Sequence, residues 1–312
     1  MWTSTGTIPR RGIAVRKKRA WNLFFLALPL MILVILFRYL PLAGWIVSLY
    51  EYKAGYSLFA CDFVGLKYFR LLFTSADFMR VMKNTLIFAV IGFVALPLPM
   101  LLAILLNEIG NSKFRRIAQT LTTLPHFLSW IIVYSIAFIL FGSEGLINAA
   151  RKLAGLRPDQ MGILNQAQSV YWFQSVLTIW KTLGWSAIIY IAAVAGIDQE
   201  LYEAAYVDGA GRLRCAIHIT IPGLMPTLIV MMLLCVSNFV NLGYEQYYVF
   251  KNPIVYDNIE VIDVFTYRLG LQLSPPDYSY STAVGIFKSF VSVILLTAAN
   301  SVAKMIRGEG IV

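Results

Sequence analysis

The sequence predicts an all-α membrane protein with six transmembrane helices. Three observations carry that prediction. Hydrophobic residues make up 59% of the 312 and charged residues only 13%, about half the charged share of an ordinary soluble domain. Mean hydropathy is +0.70. Apolar runs close to the roughly 20 residues that cross a bilayer as a helix recur nearly end to end, which leaves no room for a soluble domain. The expected division is a basic tail at 1–20 and a membrane domain at 21–312.

The tail holds Arg10, Arg11, Arg16, Lys17, Lys18 and Arg19, and an apolar run begins at Trp21. A signal peptide starts the same way. Here the run ends in Arg38-Tyr39-Leu40-Pro41 with no small-residue cleavage site, so it reads as an uncleaved span at about 21–40. Arg38 lies near its end, where a long cationic side chain can snorkel to the interface. A second span is expected at 84–106. Its Pro97 and Pro99 are tolerable because neighbouring helices re-satisfy the freed backbone groups. Further spans are expected at 121–141, 171–195, 221–242 and 281–303.

Six spans put both termini on one side. Thirteen Lys and Arg fall in segments assigned inside and ten in segments assigned outside. The excess sits in the tail and in Lys113-Phe114-Arg115-Arg116, the short flanks that orient a membrane protein. The net charge of +10 therefore reads as topology, not as affinity for nucleic acid. The long outside segments, 41–83, 142–170 and 243–280, are rich in Tyr, Phe, Gly and Pro. They could cap a pathway, receive an external partner or lie at headgroup level. Cys61, Cys215 and Cys235 are scattered, with neither a disulfide framework nor metal-ligand spacing.

Residues 198–220 carry unusual punctuation for a connection between spans. Gly196 ends the fourth span. Asp198 can cap the next helix, and Glu200 adds favourable charge to its first turn. Leu201, Ala204 and Ala205 share one apolar face and Glu203 lies on another. Asp208-Gly209 stops the helix and turns the chain. Leu213, Ile217 and Ile221 suggest a second helix along the membrane surface, and Pro222 and Pro226 set the start of the fifth span. From these residues alone, a well-capped solvated loop and a handle gripped by a partner read about equally well.

The order of residues adds to this. Glu203-Ala204-Ala205 is followed after three residues by Gly209, and after nine more by Ile219, with Pro222 closing the pattern. This resembles the EAA loop of the membrane subunits of binding-protein-dependent ABC importers, with Ile221 where Leu is commoner. The resemblance implies a type I importer permease fold. It implies that a coupling helix sits in a groove of a cytoplasmic ATPase, with Glu203, Ala204, Ala205, Asp208, Gly209, Ala210, Ile219 and Pro222 as the coupling residues. ATPase closure would then drive alternating access. No G-x-x-x-x-G-K-[ST] occurs in the sequence, so no cofactor is expected on this chain; ATP and Mg belong to the partner ATPase.

Ionisable residues inside spans are costly and mark function by default. Lys181 and Lys288 are the candidates here. Asn238, Asn241, Tyr244, Glu245 and Gln246 place amides beside aromatic rings, a mixture that suits sugar hydroxyls and ring faces, and Trp180 and Trp185 could stack on a sugar. The competing readings are that each lysine pairs with Glu245 or another acid for structure alone, and that the asparagines join helices.

Gly243-Tyr244-Glu245-Gln246, Asn252-Pro253, Tyr267-Arg268-Leu269-Gly270, Tyr278-Ser279-Tyr280-Ser281-Thr282-Ala283 and Gly285-Ile286-Phe287-Lys288-Ser289 resemble the polysaccharide and complex-oligosaccharide branch of sugar-importer permeases. That implies a heterodimer with a second related permease, two ATPase subunits and an external solute-binding protein. The implied substrate is an oligosaccharide, acidic ones such as alginate and pectin fragments included. The implied location is a bacterial inner membrane with both termini cytoplasmic. The alternatives are a stand-alone secondary transporter and a membrane enzyme. The spans are nearly free of the buried acids an ion-coupled carrier uses, and His126 and His218 lack partners at catalytic or ligand spacing.

Overall fold

The computed structural model describes residues 23–157 and 162–307. The basic tail and the start of the first span at Trp21 lie outside them. Among the described residues, six helical runs are long and apolar enough to cross a membrane: Leu23–Leu49, Ala76–Glu108, Trp130–Leu153, Val170–Val194, Arg212–Ser237 and Tyr278–Val302. One isolated bridge joins Tyr50 and Phe63; there are no strands among the described residues.

The first run is helix α1 (residues 23–34), a π turn at Ile35–Tyr39 and a 3-10 stretch at Leu40–Leu49. Pro41 accounts for the change. Proline has no N–H and its ring crowds the carbonyl four residues back. The turn before it widens, and the Leu40 N–H reaches Ile35 O. Pro222 is met in the same way, by a π turn at Ala216–Thr220 that ends with the Ile221 N–H on Ala216 O.

Helices α2 (Lys67–Thr74), α3 (Ala76–Val94) and α4 (Pro97–Glu108) follow. The second apolar run starts earlier than the expected residue 84. Ser75 caps α3 by accepting the Phe78 N–H at 3.3 Å, and Arg80 inside it is neutralised by Glu260 at 2.9 Å. Pro97 sits at the start of α4, where a missing N–H has no cost.

The stretch expected as one span at 121–141 is divided. Helix α5 (Ser112–Thr123) gives way at Pro125 to a 3-10 turn, Leu124–Phe127, and α6 (Trp130–Phe141) restarts under a Ser129 cap. At 1.5 Å per residue α6 extends only about 18 Å. The amphipathic α5 continues the column along the neighbouring helix.

Helix α7 (Leu146–Leu153) closes the third apolar run after a turn at 142–145; α8 (Val170–Val194) is the unbroken fourth. Then come α9 (Gln199–Val207), α10 (Arg212–Cys215), α11 (Ile221–Ser237), α12 (Glu245–Val249), α13 (Tyr256–Ile259), α14 (Ile262–Tyr267) and α15 (Tyr278–Arg307). The helix suggested along the membrane surface by Leu213, Ile217 and Ile221 is instead continuous with α11. Its buried positions are the small residues Cys215, Ala216 and Thr220, while Leu213 and Ile217 are exposed.

Three apolar clusters stack along the bundle. Met100, Ala103, Ala187, Tyr190 and Leu224 join α4, α8 and α11 near the α9 loop. Phe88, Val133, Phe173, Phe250 and Val264 form the second, and Leu72, Phe78, Ile262, Phe265 and Ala283 the third, at the far end. Close approach is set by Gly184: a Cβ there would collide with the Thr122 carbonyl, so α8 meets the end of α5 backbone to backbone. The far end is fastened by Glu260. It is fully buried and held by Arg80 at 2.9 Å and Arg268 at 2.8 Å.

Candidate functional site

The chain offers two places for function, one at each end of α8 and α11. The first is the handle. The Asp198 side chain accepts the Glu200 N–H at 3.0 Å and starts α9. At the other end Gly209 has φ +78. The Gly209 N–H bonds Tyr206 O at 3.1 Å and the Ala210 N–H bonds Ala205 O at 2.8 Å. These two bonds across a left-handed residue are the Schellman stop. A Cβ on Gly209 would meet no atom within 4 Å. Glycine is therefore required here by backbone conformation, not by crowding.

Little of α9 touches the rest of the chain, and none of its residues is buried. Glu203, Ala204, Tyr206 and Val207 are exposed, Ala205 and Ala210 half-buried. Its attachment to the bundle runs through the Tyr202 and Thr220 hydroxyls, 2.9 Å apart. The apolar face expected from Leu201, Ala204 and Ala205 differs in phase: Tyr202 and Ala205 turn inward and Leu201 outward. Further on, Arg212 reaches Glu108 O at 3.5 Å, Ile219 is half-buried and Pro222 is exposed.

The second place is a cavity of about 710 Å³ enclosed by α3, α8 and α11 and by the chain leaving α11. Five of the expected pathway residues line it: Asn238, Asn241, Tyr244, Glu245 and Gln246. They are not equivalent. Gln246 is buried and fully engaged, donating to Gln174 O and Oε1 at 2.9 Å and accepting from Thr178 at 2.8 Å. Asn241 donates to Ser292 Oγ at 2.8 Å and so joins the chain leaving α11 to α15. Asn238 donates to Leu234 O at 2.9 Å. The Oδ1 of both asparagines has no partner among the described residues. Glu245 is exposed to the cavity, forms no ion pair among them, and is the one charged residue of the lining.

Four expected residues lie elsewhere. Lys181 is buried and donates to His126 O at 2.7 Å, with its ammonium 5.3 Å from the Trp130 ring. It satisfies a carbonyl that the break at Pro125 releases. Trp185 stacks on His126 with ring centres 4.5 Å apart. Trp180 is exposed and outside the cavity lining. Lys288 pairs with Asp263, whose other oxygen accepts the Gly243 N–H at 2.9 Å. Neither lysine pairs with Glu245.

Several lining residues escaped the sequence reading. Ser175, Thr178, Ile179 and Thr182 form the α8 wall, and Trp130 and Tyr247 close the cavity. The helical spacing of the three hydroxyl residues was the available signal. Burial pushes the Tyr247 phenol up, so it stays neutral.

The chain is similar to known proteins over nearly its full length. Residues 95–308 match the model of the family "Binding-protein-dependent transport system inner membrane component". Protein LplB of Bacillus subtilis is 38% identical over 96% of this chain and 93% of its own. The polygalacturonan/rhamnogalacturonan transport system permease protein YteP of the same organism is 38% identical over 97% and 94%. A bacterial alginate ABC transporter, solved in complex with an alginate pentasaccharide-bound periplasmic protein, contains a chain that superposes with a TM-score of 0.84. It is 32% identical and covers 94% of this chain and 98% of that one. A multi-pass protein of this descent works beside a partner permease, a solute-binding protein and an ATPase that performs the hydrolysis, so this subunit is not itself the catalyst. The chain belongs to the binding-protein-dependent transport system inner membrane component family, the permease subunits of ABC importers.

Proposed function

We propose that this chain is one permease of a heterodimer that carries an oligosaccharide, delivered by an external binding protein, across the bacterial inner membrane. Two ATPase subunits drive it, and they alone bind ATP and Mg; the present chain binds no cofactor. The observation that supports the sugar reading is the cavity. Asn238, Asn241, Glu245 and Tyr244 line one space, a mixture of amides, a carboxylate and an aromatic ring that matches hydroxyl-rich rings better than an ion or an apolar solute.

The α9 loop is the coupling element. Glu203 and Ala204 present an exposed, closely approachable surface, Gly209 and Ala210 form its turn, and Ile219 and Pro222 lead it into α11. Both termini lie on the ATPase side. The relatives' names include an acidic polymer, and the solved neighbour imports alginate. In this chain both candidate lysines are committed to other groups, and among the described residues the cavity lining carries no cation for a uronate.

Reconstitution of the complete transporter, with uptake of neutral and acidic oligosaccharides measured side by side, tests the reading. Uptake of at least one oligosaccharide that is lost in the Asn238→Ala, Asn241→Ala double variant supports it. Uptake confined to monosaccharides or ions overturns it.

A further inference from the structure

A second opening of about 380 Å³ lies at the far end of the bundle. Tyr244, Tyr267 and Tyr278 border it, with Asp263, Ser281 and Gly270 between them. Tyr244 borders the main cavity as well, so one ring separates the two spaces. The Tyr244 and Tyr267 rings stack, with centres 5.3 Å apart and 13° between planes, and Tyr248 meets Tyr267 edge-on at 5.4 Å.

The polar groups of this opening divide in two. Ser281 is spent on Thr266 O at 3.0 Å, and Asp263 is held by Lys288 and Gly243. The hydroxyls of Tyr244, Tyr267 and Tyr278 have no hydrogen-bond partner among the described residues. Gly270 gives the floor its depth, since a Cβ there would press on Ser281 Oγ at 3.0 Å. Rigid rings with three free hydroxyls around a concave space suit a saccharide ring, whose C–H face packs on aromatics while its rim seeks hydroxyls.

We propose that this opening is a second saccharide subsite. It holds the trailing units of an oligosaccharide whose leading units occupy the main cavity, and the Tyr244–Tyr267 stack is the boundary between them. The proposal rests on the oligosaccharide reading above, and adds that affinity grows with chain length at this end.

The test is uptake by the complete reconstituted transporter from two ladders, oligogalacturonides and arabino-oligosaccharides, each from disaccharide to hexasaccharide. Tyr267→Ala should lower the ratio of long-chain to disaccharide uptake by about tenfold, the worth of one aromatic contact. The Tyr267→Phe, Tyr278→Phe double variant, which keeps the rings and removes two hydroxyls, should lower it by less in the same direction. An equal loss at every length overturns the subsite and makes the tyrosines interfacial anchors in lipid. A ratio that does not move overturns it too. If the wild type takes up neither ladder and only monosaccharides or ions, the oligosaccharide reading itself falls and the subsite with it.

Discussion

Replacing Gly209 separates two explanations of the handle. Its φ of +78 is left-handed, and a side chain in that region costs about 1–2 kcal/mol. Nothing lies within 4 Å of the position a Cβ would take, so the cost is entirely backbone strain. Helix α9 has nine residues, too few to persist on local hydrogen bonds alone, and none is buried. A penalty of this size therefore shifts the stop of α9 by about tenfold in population while leaving the three apolar clusters untouched.

The discriminating series is Gly209→Asn, Ala and Val. Asparagine tolerates the left-handed region, alanine less so, and β-branched valine least. If the backbone turn transmits force, uptake per ATP hydrolysed should fall in the order Asn, Ala, Val, with the thermal midpoint of the complex nearly unchanged. If Gly209 matters only because a partner surface presses against it, size decides and alanine should outperform asparagine. Alanine above asparagine, or full coupling in the valine variant, refutes the backbone argument.

Other parts of the bundle give sharper stability effects. Gly184→Ala should destabilise by about 1–3 kcal/mol, because the added methyl meets the Thr122 carbonyl; a thermal midpoint equal to wild type would remove Gly184 as the contact that sets the α5–α8 spacing. Glu260→Gln leaves Arg80 and Arg268 facing a neutral buried group. Arg80 keeps Asp257 and Arg268 keeps Asp77, so the change should cost about 1–3 kcal/mol, read by thermal melting; a midpoint equal to wild type would show that Glu260 does not fasten the far end. Lys288→Ala and Asp263→Ala should be strongly non-additive in uptake, with a coupling of about 1 kcal/mol; additive losses would show that Lys288 acts on substrate independently of Asp263.

Local signals were legible in the sequence and distant ones were not. Asp198 and Gly209 announce the start and stop of α9 because capping is chemistry between near neighbours. The break at Pro125 left a trace that went unread: Thr122, Thr123, Pro125 and Ser129 interrupt the apolar run, and Ser129 is the cap on which α6 restarts. The partners of the two lysines were hidden for different reasons. Lys181 bonds a backbone carbonyl 55 positions away, and every residue type carries one. Lys288 chose Asp263 over Glu245, a choice made by the fold of the segment between α11 and α15. Helix phase decided Trp180, which follows the lining residue Thr178 by two positions, about 200° around the helix; Trp185 is nearly in phase with Thr178 and stacks on His126 instead.

If α9 has the proposed coupling role, its motion reaches the cavity through α11, and a native thiol can report it. Ile197, just before α9, packs where a Cβ on Gly223 would lie, 2.7 Å from its Cδ1, and Tyr202 grips Thr220. Any shift of α9 is thus handed to the first turn of α11. Cys235 lies on the cavity side of the same helix, twelve residues or about 18 Å further on. With Cys61→Ser and Cys215→Ala removing the other thiols, the labelling rate of Cys235 by a small charged thiol reagent should differ several-fold between the nucleotide-free and vanadate-trapped transporter. In Gly209→Val that difference should collapse although ATP is still hydrolysed, because the ATPases close on a handle whose turn no longer holds. A difference that persists in Gly209→Val would mean that force enters α11 by another route.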